Sequence, residues 1–181
     1  MQEADELLDL VNKDNEVIGK VMREVHHANV AYYTARGEYW RGVASFVVNS
    51  EAKVWTRTRQ TWRRVAPDGL DFAMAEHVQS GEDHLAGAVR GMKEELNLDV
   101  DADDLEQLVQ FVSDAVGCIM RIYVYYSDET PNYNTDDYRS AEWLSIDELK
   151  GQLQAPGAKF KNLLPEALEA LEQMLVANPV N

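Results

Sequence analysis

Residues 82–98 constrain the fold of this chain more than any other segment. The preceding residues, 78–81, contain Ser and Gly and interrupt a strand-like pattern. Apolar side chains then recur at three- and four-residue spacing, at Ala86, Val89, Met92 and Leu96. This period predicts a helix with a buried stripe, so its acidic residues and His84 are expected on the exposed side.

Glu94 and Glu95 are neighbours on this helix, and Glu94 follows Arg90 by four residues. At that spacing a guanidinium group can orient a carboxylate. Mg²⁺ prefers oxygen ligands and is often shared with substrate phosphates. The pair, with Glu82 at the other end of the helix, therefore predicts a divalent metal site that carries phosphate. From the residues alone, a solvated acidic helix face is an equally good interpretation.

Segment 76–98 resembles the Nudix box, in which Gly, five residues, Glu and seven residues precede Arg-Glu-U-x-Glu-Glu-x-Gly-U, where U is aliphatic. The matching residues, at unchanged spacing, are Glu82, Arg90, Met92, Glu94, Glu95 and Leu98. The resemblance implies an α/β hydrolase that uses Mg²⁺ or Mn²⁺, with Glu94 and Glu95 as catalytic metal ligands. It also implies that Glu82 contributes directly or through water and that Arg90 orients Glu94.

Three positions depart from the pattern: Glu76 and Asn97 stand where it has Gly, and Gly91 stands where it has Glu. Asn97 is a mild change, since Asn tolerates the left-handed conformation that ends a helix. Gly91 cannot serve as the metal ligand or general base that Nudix enzymes often have there. Glu76 replaces a backbone ligand, crowds the site or points to solvent, and the sequence does not choose among these.

A carboxylate elsewhere is expected to replace the one missing at Gly91. Asp114 is the first choice as extra base or ligand, because it lies in a turn beside a predicted core strand. Glu129, Asp136 and Asp137 lie in a later loop and are alternatives. Each of these acids also fits a solvated loop residue.

The resemblance extends beyond the box and is strongest to the isopentenyl-diphosphate-isomerase-like branch of the superfamily. Residues 8–20 resemble its opening hairpin, and His26 and His27 fall where it often has a His. Isomerase activity is not expected, because Ala75 stands at the position of the catalytic Cys. Only His77 remains of the Cys-Gly-His trio of that branch.

Arg59 and His77 are the candidate substrate-binding residues. Arg57 and Arg59 alternate on a predicted strand and so face one side, and the branch often has a phosphate-binding Arg near Arg59. Arg can hold phosphate with two parallel hydrogen bonds. Surface roles remain an alternative for both arginines, and a structural role remains one for His77.

The 181 residues suit one domain with a substantial core. We expect an N-terminal hairpin at about 8–22, a core at about 40–150 and a C-terminal helix at about 162–177, all within a single Nudix-like domain spanning 1–181. Strand patterns are found at 9–22, 42–49, 53–59, 70–78, 105–112, 118–126 and 141–144. The expected architecture is an α/β/α sandwich (class α/β or α+β) with a mixed β-sheet between helices.

The formal net charge of −15 argues against nucleic acid or an anionic membrane as partner, because the long-range field repels polyanions. A small nucleotide or diphosphate needs only a local cation. A lone Cys118 and the absence of a signal-peptide pattern predict a cytoplasmic protein. Homodimerisation is left open.

These observations predict a metal-dependent Nudix hydrolase that cleaves a phosphoanhydride in a nucleoside diphosphate-linked or related small diphosphate. Gly91 and Glu76 support one alternative, a degenerate Nudix fold that binds a nucleotide or protein as a regulator. A slow hydrolase without a dedicated substrate is the third interpretation.

Overall fold

The computed structural model describes residues 6–179, so the predicted domain limits at 1 and 181 lie outside the described residues. The strands are β1 (Leu7–Val11), β2 (Val17–Met22), β3 (Trp40–Val48), β4 (Val54–Arg59), β5 (Leu70–Asp71), β6 (Met74–His77), β7 (Glu106–Ser113), β8 (Cys118–Tyr126) and β9 (Tyr138–Leu144). The helices are α1 (Arg23–Ala28), α2 (Val30–Thr34), α3 (His84–Leu96), α4 (Ile146–Gln154) and α5 (Leu164–Ala177).

Strand β3 is the centre of a mixed sheet. It pairs in parallel with β8 along its length and antiparallel with β6, and β8 continues to β7. Strand β4 meets β3 at the Val48–Val54 pair and otherwise pairs with β9 and β5. The sheet therefore opens beyond the β3–β4 hairpin, and β6 lies in that opening beside helix α3.

Alternating side chains of β3 enter two separate cores. Val43 and Val47 pack with Met92 and other residues of α3 on one face. Ala44 and Phe46 pack on the other face in a cluster that includes Leu168 of α5. Successive residues of a strand point to opposite faces, so this strand is apolar on both. The predicted α/β/α sandwich is confirmed.

Helix α3 begins and ends at residues suited to those positions. The Asp83 side chain caps it by accepting a hydrogen bond from the Ala86 amide at 2.8 Å. Asn97 ends it in the left-handed conformation, with φ of 56°. Asn97 therefore adopts the left-handed helix-ending conformation that the Gly of the motif would adopt.

The predicted buried stripe of α3 is confirmed at Met92 and Leu96 but is wrong at Ala86. Ala86 is exposed, whereas Gly87, Ala88 and Gly91 face the sheet. His84, expected on the exposed side, is 1% exposed. The apolar pattern missed these positions because glycine has no side chain to mark a buried position. The missing side chain nevertheless lets the helix backbone approach the sheet most closely.

Helices α1 and α2 were not predicted, because each spans less than two turns and carries no apolar period of useful length. Strand β9 begins at Tyr138, three residues before the predicted start at 141. Helix α4 begins as predicted, with a reciprocal capping box between Ser145 and Glu148. Among the described residues, no helix combines the length and apolarity needed to cross a membrane.

Candidate active site

Arg90, in the middle of helix α3, donates hydrogen bonds to three groups. Its Nε and Nη2 donate to the two oxygens of Glu82 at 2.9 and 3.1 Å. Its Nη1 donates to Glu94 Oε2 at 2.9 Å, the contact that the four-residue spacing predicts. Nη2 also donates to the backbone carbonyl of His77 at 2.8 Å, which ties the helix to β6. Arg90 thus fixes the relative positions of two predicted site carboxylates and the end of β6.

Glu82 has both carboxylate oxygens engaged. In addition to Arg90, its Oε2 accepts a hydrogen bond from the Gln79 amide at 3.0 Å. Its side chain is 24% exposed. Glu82 therefore braces the turn before α3 and holds Arg90 in place.

Glu94 and Glu95 differ in their surroundings although they are adjacent. The Glu94 side chain is 56% exposed, and its hydrogen-bond partner within residues 6–179 is Arg90. Glu95 follows Gly87 and Gly91 on the sheet-facing side of α3, and its Oε1 accepts a hydrogen bond from the Ala75 amide at 3.0 Å. Its Oε2 accepts from Arg57 Nη2 at 2.5 Å. Glu95 is anchored on both sides, whereas Glu94 can turn toward a ligand.

Arg57 lies in the core and connects β4 to the site. It is 0% exposed, and its Nε donates to the Phe72 carbonyl at 3.1 Å. Its guanidinium carbon lies 3.7 Å from the centre of the Tyr138 ring, a cation–π contact. The surface role that remained an alternative for Arg57 is wrong, and its neighbours Thr56 and Thr58 carry no sequence signal for that burial.

Arg59 faces the same side of β4 but enters a different ion pair. It binds the buried Asp71 carboxylate, and its Nε donates to the Val65 carbonyl at 2.8 Å. The Tyr138 hydroxyl donates to Asp71 at 3.3 Å, so Tyr138 lies between the two arginines. The structure therefore does not bring Arg59 into contact with the Arg90 group, and phosphate binding by Arg59 requires the pair with Asp71 to open.

Glu76 projects from β6 toward helix α3. Its Oε2 lies 3.9 Å from Arg90 Nη1, the same nitrogen that contacts Glu94, and its side chain is 27% exposed. Burial, together with the neighbouring carboxylate of Glu95, raises the pKa of Glu76 to about 8. Of the three alternatives for Glu76, the one in which it points freely to solvent is therefore wrong.

His77 packs in an aromatic cluster on the other side of β6. Its ring stacks on Trp40 at a centroid distance of 4.3 Å. Its Nε2 lies 3.2 Å from His27 Nε2, and burial holds its pKa well below the usual range. The His77 imidazole thus packs against Trp40 and His27, whereas its backbone carbonyl accepts the hydrogen bond from Arg90.

Asp114 lies in the turn between β7 and β8. It accepts a hydrogen bond from the Tyr39 hydroxyl at 2.6 Å, and burial together with this bond raises the pKa of Tyr39 to about 12. The structure thus places Asp114 beside Tyr39. Among the alternative loop acids, Asp137 pairs with Arg63 at 2.6 Å.

The carboxylates near Arg90 supply the oxygen donors that Mg²⁺ and Mn²⁺ favour. Glu76, Glu82, Glu94 and Glu95 face the two guanidinium groups of Arg57 and Arg90, so four carboxyl groups surround two cations. No group of three or more His, Cys, Asp or Glu side chains within residues 6–179 is already arranged around a metal position. The donor chemistry fits a hard divalent cation, and Glu94 has the freedom to turn toward one.

Residues 38–164 match the model of the NUDIX domain. This chain belongs to the Nudix family. It is 32% identical over 154 residues to a Nudix hydrolase of Deinococcus radiodurans, covering 84% of this chain and 86% of that protein. It is 34% identical over 148 residues to an uncharacterised Nudix hydrolase of Nostoc sp., covering 80% and 83%.

Solved structures agree with this assignment. A Deinococcus radiodurans crystal structure superposes with a TM-score of 0.73 at 31% identity and covers 91% of this chain and 98% of its own. A MutT protein from Methanosarcina mazei superposes with a TM-score of 0.58 at 16% identity, covering 75% and 94%, and shows the shared fold. The chain is accordingly a hydrolase of the Nudix family, whose members generally act on small nucleotides or diphosphates and need a divalent metal ion.

Proposed function

We propose that this Nudix hydrolase cleaves a phosphoanhydride bond in a nucleoside diphosphate-linked or related small diphosphate, with Mg²⁺ or Mn²⁺ as its metal. The observation that carries the proposal is the set of hydrogen bonds from Arg90 to Glu82, Glu94 and the His77 carbonyl. These bonds link Glu82, just before α3, to Glu94, in the last turn of α3, and tie both to β6. The alternative substrates within the proposal are nucleoside di- and triphosphates.

Glu94 and Glu95 are the proposed catalytic metal ligands, with Glu82 contributing directly or through water. When bound, a divalent cation neutralises phosphate charge and lowers the pKa of the attacking water. Glu95 offers a carboxylate already positioned by Arg57 and Ala75, and Glu94 offers one that can move. Arg90 holds the Glu94 carboxylate near the proposed metal position, and the ion pair with Glu82 fixes the Arg90 side chain.

Three further roles stay predictions. Arg59 as a phosphate ligand requires its ion pair with Asp71 to open. His77 as a substrate contact through Nε2 requires that nitrogen to leave His27, and Asp114 as extra base requires movement away from Tyr39. Membership of the isopentenyl-diphosphate-isomerase-like branch, a homodimeric state and a cytoplasmic location likewise remain hypotheses.

Hydrolysis assays on a substrate panel test the proposal. Release of phosphate, pyrophosphate or nucleoside monophosphate is measured from nucleoside di- and triphosphates, nucleotide sugars, dinucleotides and prenyl diphosphates. Each assay is run with Mg²⁺, with Mn²⁺ and with chelator. The Glu94→Gln/Glu95→Gln variant is the site control, and Glu169→Gln, at an exposed position of α5, is the matched surface control.

Metal-dependent cleavage of one substrate class, lost in the double variant and kept in Glu169→Gln, supports the proposal. Cleavage that survives in the double variant contradicts the assigned roles of Glu94 and Glu95. A protein that cleaves nothing in the panel, yet is stabilised against heat by a nucleotide, is instead the regulatory binding module that Gly91 and Glu76 also suggest.

A further inference from the structure

The space beside Gly91 is already occupied by side chains of β6. A Cβ added at Gly91 would lie 2.7 Å from Met74 Sδ and 3.2 Å from Glu76 Cγ. Met74 is 0% exposed, so it has little room to withdraw. A glutamate at position 91 therefore cannot coexist with the present positions of Met74 and Glu76.

The Glu76 carboxylate lies on the same side of α3 as the proposed metal ligands. Arg90 Nη1 is 2.9 Å from Glu94 Oε2 and 3.9 Å from Glu76 Oε2. The neighbouring residue on β6, Ala75, donates its amide to Glu95. Glu76 thus shares Arg90 with Glu94 and adjoins the residue whose amide binds Glu95.

The two departures from the Nudix pattern are complementary. Position 91 loses a carboxylate on the helix, and position 76 gains one on the strand that passes directly beneath it. The chain therefore keeps the same number of carboxylates around Arg90. If the changes at 76 and 91 were unrelated losses of function, the Glu76 side chain would not be expected to fill the space beside Gly91.

We propose that Glu76 is a metal ligand that replaces, from strand β6, the carboxylate absent at Gly91. This inference rests on the proposed function, because it assigns a further ligand to the same divalent metal. Glu76, Glu94 and Glu95 form the ligand set, and Gly91 is the residue that makes room for Glu76. Asp114 is then not needed as the replacement.

Mn²⁺ binding to the free protein tests the assignment without any substrate. The electron paramagnetic resonance signal of unbound Mn²⁺ reports the affinity of wild type, Glu76→Gln, Glu94→Gln and Glu169→Gln at one pH. Gln is nearly isosteric with Glu, so thermal unfolding without metal checks that each variant folds. We expect Glu76→Gln and Glu94→Gln to bind Mn²⁺ at least about tenfold more weakly, with Glu169→Gln unchanged.

A carboxylate exchange provides the second measurement. In a Glu76→Ala protein, removal of Cγ gives Met74 and a new side chain at 91 room to rearrange, so Gly91→Glu should recover Mn²⁺ affinity. The comparison is between Glu76→Ala and Glu76→Ala/Gly91→Glu. Failure of a folded double variant to recover affinity overturns the proposed exchange. If the double variant does not fold, the Glu76→Gln result decides alone.

The outcomes separate this inference from the proposed function. Mn²⁺ affinity within threefold of wild type in Glu76→Gln, together with weak binding in Glu94→Gln, overturns only the role of Glu76. Weak binding in both variants, with no cleavage of any panel substrate, supports the Glu76 ligand and contradicts the hydrolytic proposal. No measurable Mn²⁺ binding by wild type overturns both.

Discussion

Arg57 on β4 and Glu95 on α3 form a buried ion pair that joins the sheet to the helix carrying the site. The distance from Arg57 Nη2 to Glu95 Oε2 is 2.5 Å, and the Arg57 side chain is 0% exposed. Because Glu95 also accepts a hydrogen bond from Ala75, one carboxylate connects three elements of the fold. Glu95 therefore contributes to the stability of the fold and is also a proposed catalytic residue.

Arg57→Ala should destabilise the protein by about 3–5 kcal/mol, because it leaves the largely buried Glu95 without its cation. Urea unfolding at pH 7 measures the change. Arg36→Ala is the control, since Arg36 is 56% exposed and solvent screening makes its pair with Glu38 contribute much less to stability. Equal losses in the two variants would show that the Arg57–Glu95 pair is not a structural link.

Glu94→Gln and Glu95→Gln should both reduce metal-dependent turnover but should differ in stability. Glu95→Gln removes the charge opposite buried Arg57 and is expected to cost about 1.5–3 kcal/mol. Glu94 is 56% exposed, and its loss should cost less than about 0.5 kcal/mol. Urea unfolding without metal separates them. Similar unfolding free energies would contradict the different anchoring of the two carboxylates.

Gly91→Ala should destabilise the protein, although alanine favours helices. The added Cβ would lie 2.7 Å from Met74 Sδ in the core, and such overpacking costs about 1–3 kcal/mol. Gly151→Ala in α4 is the matched control, because a Cβ there has nothing within 4 Å and should stabilise by about 0.5–1 kcal/mol. The prediction concerns the sign measured by thermal unfolding, so a gain at both positions would refute it.

His84 should make stability fall in mild acid. Its Nε2 donates to the Ile119 carbonyl at 3.2 Å, and burial lowers its pKa from 6.5 to about 4. Between those values the unfolded chain binds the proton more tightly than the folded one. The stabilisation is thus present above pH 6.5 and is lost as pH falls toward 4, to a total of about 3 kcal/mol.

His84→Gln keeps a donor for the Ile119 carbonyl and removes this titration. The free energy of unfolding, measured by urea at several pH values from 4.5 to 7, should then depend less on pH than in wild type. His26, His27 and His77 also have lowered pKa values, so some dependence should remain. An unchanged slope in His84→Gln would mean that His84 is not the proton-binding group.

The box helix shows how far the residues predicted the site. The four-residue spacing predicted the contact between Arg90 and Glu94, because spacing along one helix fixes which side chains are neighbours. The cap at Asn97 was predictable for the same local reason. The burial of Gly87 and Gly91 was not, since neither carries a side chain that the apolar pattern could register.

The sequence by itself determined most of the longer local elements, the hydrophobic alternation of the strands and the spacing of the box carboxylates, because these depend on neighbours within a few residues. Only the tertiary structure decided which partner each charged group would meet. Arg57 binds Glu95 and Arg59 binds Asp71, although the two arginines alternate on one strand and look alike in sequence. Glu76 meets Gly91 because β6 crosses beneath α3, and contacts between segments depend on packing that no local pattern encodes.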